Sequence, residues 1–189
     1  MDAQETRALL AQVARGETSV EDALIRLKTA PFADLGFAKP DYHRGLRQGT
    51  AEVIYGAGKT AAQIADIAES LLASGQKTVL ITRLPPERAA EVQVRLHLQY
   101  HPVGRIGVAG AWPEPDGDGR IVVATGGTSD IPVAEEAALT AEALGNQVTR
   151  LYDVGVAGLH RLLAHAEELA SARAIVAIAG MEGALASVI

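Results

Sequence analysis

Residues 120–152, RIVVATGGTSDIPVAEEAALTAEALGNQVTRLY, decide the fold class of this chain. The runs RIVVAT and QVTRLY are short and rich in β-branched residues, whereas IPVAEEAALTAEAL between them is typical of a helix. A strand, a helix and a second strand in this order indicate a βαβ unit with parallel strands. The same alternation continues on both sides of this unit.

Outside the unit, further strands are predicted at AEVIY (51–55), KTVLIT (77–82), RIGVAG (105–110) and RAIVAIA (173–179). Helices are predicted at residues 61–74, 86–99 and 157–169, and AWPEPDGDG (111–119) is predicted as a loop. The pattern predicts an α/β fold: a three-layer parallel sheet with flanking helices, of the flavodoxin type.

The chain divides into three predicted segments. Residues 1–50 are an N-terminal helical hairpin with a connector, 51–118 are a first α/β portion, and 119–189 are a second domain. The closing stretch, GMEGALASVI, resembles the first turns of an apolar helix without a cap. We therefore expect the second domain to be incomplete and the chain to be C-terminally truncated.

The hairpin prediction rests on two short amphipathic stretches within residues 3–29. Ser19, with Asp22 three positions further on, resembles a capping box at the start of the second stretch. The connector begins at Pro31 and carries a basic cluster, for which a solvated linker is the simplest interpretation. The cluster consists of Lys39, Arg44 and Arg47.

Composition excludes several classes of protein. The 189 residues carry a net charge of −6, which disfavours a nucleic-acid partner. Cysteine is absent, so these residues form no disulfide, no thiolate metal site and no thiol nucleophile. No apolar run reaches the length of a membrane span, and the charged N-terminus does not resemble a signal peptide. We expect a cytoplasmic protein without a membrane partner.

The first candidate binding segment, GGTSD, follows the strand RIVVAT. Two glycines let a ligand approach the backbone, and hydroxyls beside a helix N-terminus suit an anion. The alternative is an ordinary helix cap made by Ser129 or Asp130. The segment consists of Gly126, Gly127, Thr128, Ser129 and Asp130.

Two other strands end in polar segments. After QVTRLY come Asp153 and the pair His160-Arg161, which suit acid–base chemistry on an anionic substrate. The alternative is that His160 and Arg161 lie on an exposed helix surface. His165, five residues further along the same predicted helix, is the natural control for that alternative. After RAIVAIA comes Glu182, a carboxylate available for proton transfer or metal coordination. Its alternative role is to complement a helix dipole. Glu182 is flanked by Gly180, Met181 and Gly183.

A fourth segment, GAGKTA (56–61), matches two nucleotide motifs incompletely. Val53 stands where a P-loop needs its first glycine, and Arg83 stands where a dinucleotide fold places its ribose-binding acid. The alternative is a tight glycine turn with a solvated Lys59.

The three segments GGTSD, GLHR and GMEG resemble those of the PurE superfamily of aminoimidazole-ribonucleotide carboxylases and mutases, which identifies residues 119–189 as a PurE-like domain. A finer resemblance is to the LarB-type proteins of nickel-pincer cofactor biosynthesis. It rests on DLGFAKPDYHRGLRQGTAEVIYGAGKT (34–60), TGGTSDIPVAEEAALTAEALGN (125–146), YDVGVAGLHRLL (152–163) and AGMEGALASVI (179–189). Ordinary PurE proteins lack the first of these blocks.

The LarB resemblance implies a carboxylase that is also a hydrolase. Such enzymes carboxylate the pyridinium ring of nicotinic acid adenine dinucleotide with carbon dioxide or bicarbonate and release AMP, which leaves pyridinium-3,5-dicarboxylate mononucleotide. In that family a cysteine adds to the ring, so we expect these cysteine-free residues not to complete the cycle alone. Two alternatives stay open: a PurE-like aminoimidazole-ribonucleotide carboxylase or mutase of purine synthesis, and a non-catalytic nucleotide-binding module.

The resemblance also implies roles for particular residues. Glu182, Asp153 and His160 would be catalytic, with Glu182 moving a proton or holding a divalent metal such as Mg²⁺. Substrate would be bound by Gly126, Gly127, Thr128, Ser129, Asp130, Arg161, Gly180, Met181 and Gly183, and Arg161 would face an anionic group. Lys59, Arg44 and Arg47 are second-tier candidates. No tightly bound cofactor is expected, and the family implies a homo-oligomer, an octamer.

Overall fold

The computed structural model describes residues 3–28 and 32–189, and Pro31 of the predicted connector lies outside the described residues. The helices are α1 (Ala3–Ala14), α2 (Val20–Lys28), α3 (Arg44–Gln48), α4 (Ala61–Ala73), α5 (Pro86–Gln93), α6 (Ile131–Ala143), α7 (Leu159–Leu163) and α8 (Ala166–Ala170). The strands are β1 (Val53–Tyr55), β2 (Thr78–Thr82), β3 (Leu98–His101), β4 (Ile106–Gly110), β5 (Arg120–Thr125), β6 (Gln147–Leu151) and β7 (Ala174–Ile178). The predicted α/β class, with parallel strand pairs and flanking helices, is confirmed.

The single parallel sheet is a wrong prediction, because the strands form two sheets. The first has the order β1-β2-β4-β3, in which β1 and β2 are parallel but β4 runs antiparallel to both of its neighbours. Residues 98 and 99 were predicted as the end of a helix and instead belong to strand β3, Leu98–His101. Leu98 is buried, Gln99 is exposed and Tyr100 is half-buried, which is the two-residue period of a strand.

The second sheet contains the βαβ unit that the sequence predicts. Its order is β6-β5-β7, and all three strands are parallel. Val122 of the central strand pairs with Thr149 on one side and with Ile175 on the other. The loops that follow these three strands therefore emerge at one edge.

Helix α6 lies between the two sheets and packs against both. Leu139 and Ala143 belong to the core of the first sheet, whereas Ala134 and Ala138 pack against Val123 of the second. A helix with small apolar residues on two faces can be buried on both. Helix α6 therefore joins the cores of the two sheets.

The surroundings of the two ends of α6 show that β2 of the first sheet runs in the same direction as β5 and β6 of the second. Arg83, directly after β2, pairs with Glu136 in the second turn of α6, with 2.8 Å between Nε and Oε1. Thr78, at the start of β2, lines the same cavity as Gly145, just beyond the end of α6. Strand β2 therefore runs antiparallel to α6, as β5 and β6 do. The carboxyl ends of β1, β2, β5, β6 and β7 consequently open on one side of the molecule.

The predicted helix over 157–169 is interrupted. Helix α7 ends at Leu163, and α8 starts after His165, whose N–H donates to the Leu162 carbonyl at 3.0 Å and tightens the last turn of α7. His165 therefore lies in the turn between two helices. The closing stretch forms one 3₁₀ turn, Ala184–Ser187, where the opening of an α-helix was predicted.

At the N-terminal end, both predicted helices are present, and their arrangement as a separate hairpin stays a prediction. Ser19 Oγ accepts the N–H of Asp22 at 2.9 Å, as expected at the start of α2. Within residues 3–28 and 32–189, no helix is both long and apolar enough to cross a membrane.

Candidate functional site

The loop after β5 is closed by its own carboxylate. Gly126 and Gly127 lead into a 3₁₀ turn over Thr128–Asp130, which continues directly into α6. Asp130 Oδ2 accepts the N–H of Gly127 at 3.0 Å, while Thr128 and Ser129 are exposed. The exposed hydroxyls are therefore the groups of this loop that can reach a ligand.

Asp130 also binds the loop after β7. Its Oδ1 accepts the N–H of Gly180 at 3.1 Å, and the N–H of Gly126 donates to the carbonyl of Ile178 at 2.8 Å. A Cβ atom at Gly180 would lie 3.0 Å from Asp130 Oδ1, a close approach that favours glycine there. Both oxygens of Asp130 are thus engaged with the backbone, so this side chain holds loops together.

The loop after β6 is held by Thr125, a residue that the sequence analysis did not single out. Thr125 is fully buried; its Oγ1 accepts the N–H of Asp153 at 2.9 Å, and its carbonyl accepts the N–H of Val154 at 2.9 Å. A Cβ atom at Gly155 would lie 2.3 Å from the carbonyl oxygen of Gly126. The three predicted strand-end segments therefore meet around Gly126. The signal that could have found Thr125 is its hydroxyl directly after the four apolar residues 121–124.

Arg161 forms an ion pair with Asp153 at the edge of these loops. The distance between Nη1 and Oδ2 is 2.5 Å, and the two side chains are 39% and 49% exposed. A Cβ atom at Gly158 would lie 2.7 Å from Arg161 Nε, so glycine leaves room for the guanidinium. Arg161 was predicted to face an anionic ligand. Such a ligand would bind the guanidinium alongside the Asp153 carboxylate. His160 is exposed on the same short helix.

Glu182 and Met181 extend from the loop after β7. Met181 is 96% exposed and Glu182 is exposed, and Gly183 adopts a left-handed conformation with φ of 72°. Within residues 3–28 and 32–189, Glu182 makes no hydrogen bond or ion pair, and no three His, Asp or Glu side chains are grouped so as to hold a metal. A divalent cation at Glu182 would need ligands from water or substrate oxygens.

A half-buried polar network holds β6 against α6. Arg150 binds Glu135 through Nε at 3.1 Å and Glu142 through Nη1 at 2.5 Å, and the Tyr152 hydroxyl donates to Glu135. Burial raises the pKa of Tyr152 above its ordinary value, and the hydrogen bond to Glu135 raises it further. The network fixes the strand that leads into Asp153.

Comparison with known proteins places this chain in a family. Residues 32–111 match the LarB/PurE-like N-terminal domain. Over 195 aligned residues the chain is 32% identical to an uncharacterized protein of Methanocaldococcus jannaschii, covering 97% of this chain and 75% of that protein. The chain belongs to the LarB/PurE-like family.

The LarB/PurE-like match includes the second-tier basic residues, and the structure gives each a partner within the first half of the chain. Lys59 Nζ donates to the carbonyl of Tyr55 at 3.0 Å, and Arg44 Nη1 lies 3.6 Å from Glu52 Oε2. Arg47 pairs with Asp41 and lowers the pKa of that carboxyl. These contacts do not bring the three basic residues to the loops around Gly126.

The GAGKTA segment of the LarB/PurE-like domain forms the tight glycine turn that was the alternative prediction. Gly58 is left-handed with φ of 78°, and the N–H of Lys59 donates to the Gly56 carbonyl at 3.2 Å. Thr60 and Gln63 then form a reciprocal capping box that starts α4. The glycines and hydroxyl are thus explained by the turn and the helix start.

Proposed function

We propose that this LarB/PurE-like protein binds nicotinic acid adenine dinucleotide at the loops around Gly126 and takes part in carboxylating its pyridinium ring, with release of AMP. The observation that carries the proposal is the convergence of three strand-end loops. Asp130 joins the first loop to Gly180, and Thr125 joins it to Asp153. In sheets of this kind, ligands bind at the carboxyl ends of the strands.

The groups exposed at this edge suit a dinucleotide. The hydroxyls of Thr128 and Ser129 are exposed in the 3₁₀ turn that leads into α6, where the helix dipole favours a phosphate. Arg161 offers a second contact for an anion. The exposed carboxylate of Glu182 can accept the proton that leaves the ring.

The carboxylation itself requires a nucleophile that these residues lack. A pyridinium carbon is electron-poor, and a thiolate added to the ring makes an enamine whose carbon forms a bond to carbon dioxide. Loss of the ring proton to a base and departure of the thiolate restore the aromatic ring. Since the chain has no cysteine, the thiol must come from outside these 189 residues.

The resemblance of residues 34–60 to the LarB-type proteins supports this substrate over aminoimidazole ribonucleotide. That resemblance implies a block that ordinary PurE proteins lack, and the block lies within the matched residues 32–111. The PurE-like alternative predicts the opposite order of affinities, so a binding comparison separates the two.

The test is calorimetric titration of the protein with nicotinic acid adenine dinucleotide, AMP and aminoimidazole ribonucleotide. We expect the dinucleotide to bind most tightly, and Ser129→Ala to weaken it about three- to tenfold, the equivalent of one hydrogen bond. Ser171→Ala, an exposed serine after α8 at the opposite edge of the sheet, is the matched control. Absence of dinucleotide binding, or tighter binding of aminoimidazole ribonucleotide, would overturn the proposal.

Turnover is tested separately, with ¹³C-bicarbonate and the dinucleotide in the presence of a thiol. Mass spectrometry should detect AMP together with a labelled pyridinium dicarboxylate mononucleotide. Dinucleotide binding without any labelled product under these conditions would favour the non-catalytic binding module.

A further inference from the structure

We infer that Thr125 is a positioning residue that sets the geometry of the Asp153–Arg161 pair; its effect on ligand binding rests on the proposed function, whereas its effect on geometry does not. Among residues 3–28 and 32–189, Thr125 is the one polar residue classed as buried, and it has no exposed surface. It therefore cannot touch a ligand directly. Any influence on the site must pass through the groups that it binds.

Thr125 holds two successive N–H groups of the loop after β6. Its hydroxyl oxygen accepts from Asp153 at 2.9 Å, and its carbonyl accepts from Val154 at 2.9 Å. The side chain and main chain of one residue thus fix the loop at the point where β6 ends. A valine at this position would keep the volume and the carbonyl but remove the acceptor for Asp153.

The Asp153 backbone needs such support because it is left-handed. Its φ is 57°, a conformation that residues with a side chain rarely adopt. Close packing of Gly155 against the Gly126 carbonyl holds the following residues of the loop. The Thr125 hydroxyl is therefore the side-chain contact that fixes the unusual backbone at Asp153.

The backbone of Asp153 determines where its carboxylate points. In the left-handed conformation, Oδ2 lies 2.5 Å from Arg161 Nη1, and both side chains are partly exposed at the edge of the sheet. Loss of the Thr125 acceptor would release the Asp153 N–H and change the direction of this carboxylate. A buried hydroxyl thereby controls a surface ion pair that it does not touch.

The experiment compares Thr125→Ser and Thr125→Ala, which both lack the methyl group and differ only in the hydroxyl oxygen. Nuclear magnetic resonance reports the amide of Asp153 and the Nε–H of Arg161, and calorimetry reports dinucleotide affinity. We expect Thr125→Ser to retain both signals and the affinity. We expect Thr125→Ala to shift both signals and to weaken binding about three- to tenfold relative to Thr125→Ser.

Thr125→Val and Thr149→Val provide the matched comparison. Thr149 lies half-buried on β6 and makes no side-chain hydrogen bond within the described ranges, so its valine variant should leave both signals and the affinity unchanged. Equal Asp153 and Arg161 signals in Thr125→Ser and Thr125→Ala would overturn the positioning role. Shifted signals with unchanged affinity would overturn the link to the ligand. Failure of the wild type to bind the dinucleotide would refute the proposed function alone, since the resonance comparison would still test Thr125.

Discussion

The carboxylate of Asp130 accepts a hydrogen bond from the backbone N–H of Gly180 at 3.1 Å, across a sequence separation of 50 residues. Its other oxygen accepts from Gly127 at 3.0 Å. One side chain at the start of α6 thus joins the loops after the central strand and an edge strand of the second sheet. The two loops of the candidate site are therefore held together by the protein itself, without a bound ligand.

Replacement of Asp130 by alanine should loosen both loops. Two backbone N–H groups lose an ionised acceptor, so we expect the free energy of unfolding to fall by about 1–3 kcal/mol. Hydrogen exchange at Gly127 and Gly180 should accelerate. Asp118→Ala, in the exposed loop before β5, is the control; unchanged exchange at Gly180 in the Asp130 variant would contradict the role given to this carboxylate.

Two glycines of the site should differ sharply in their tolerance of a methyl group. A Cβ atom at Gly155 would lie 2.3 Å from the Gly126 carbonyl, whereas one at Gly127 meets nothing closer than 4.0 Å. We expect Gly155→Ala to destabilise the protein by about 1–3 kcal/mol, as overpacking does, and Gly127→Ala to have little effect. Thermal unfolding measures both, and equal stabilities would show that the loops are not packed as described.

Arg150 should contribute more stability than an exposed arginine with as many acidic partners. Arg150→Met leaves half-buried Glu135 and Glu142 without their cation, and we expect a loss of about 2 kcal/mol, between the values for exposed and buried pairs. Arg95, which is 42% exposed, pairs with two carboxylates, and Arg95→Met should change stability by no more than about 0.5 kcal/mol. Urea denaturation distinguishes them, and similar losses in both variants would count against the network.

The raised pKa of Tyr152 gives stability a dependence on alkaline pH. The folded state favours the neutral phenol, so this contribution is present below the unfolded pKa near 10 and is lost as pH rises towards the higher folded-state value. Between pH 9 and pH 11, the free energy of unfolding should fall more steeply in the wild type than in Tyr152→Phe. Tyr55→Phe, at an exposed tyrosine, should follow the wild type; identical slopes in Tyr152→Phe and the wild type would refute the assignment.

Glu182→Gln should separate chemistry from folding. Glu182 is exposed and makes no hydrogen bond or ion pair within the described ranges, so its neutral analogue should keep the melting temperature and the dinucleotide affinity. Formation of the dicarboxylated product in the presence of a thiol should be abolished, because the base that removes the ring proton is lost. Glu167→Gln, at an exposed glutamate of α8, is the control; unchanged product formation in Glu182→Gln would remove this residue from the mechanism.

The sequence predicted the second sheet better than the first. The βαβ unit has two runs rich in β-branched residues, a helix-forming segment between them and a glycine-rich connection. Its parallel strands could therefore be predicted from local pattern alone. Strand β3 was missed although Leu96, Leu98 and Tyr100 alternate, because a helix over 86–99 fitted the preceding residues equally well. Strand direction in the first sheet depends on tertiary pairing, which periodicity does not report.

For the candidate site, the sequence predicted which loops meet but not what holds them. Parallel topology brings the ends of neighbouring strands together, so the proximity of the loops bearing Asp130, Asp153 and Glu182 followed from the fold. Ligand contact by Asp130 stays a prediction, whereas its hydrogen bonds to the backbone of two loops were not predicted, and Thr125 was overlooked as part of a strand. Both depend on hydrogen bonds between distant residues, which single-sequence patterns do not reveal.

The position of α6 has a consequence for how the protein can be divided. The match to the LarB/PurE-like N-terminal domain ends at residue 111, yet one face of its sheet is covered by Leu139 and Ala143 from beyond that limit. A fragment cut at that boundary would expose apolar side chains of β2 and β4 to water and would tend to associate. We therefore expect residues 32–111 not to fold on their own, and the first and second sheets of the intact chain to melt in one cooperative transition.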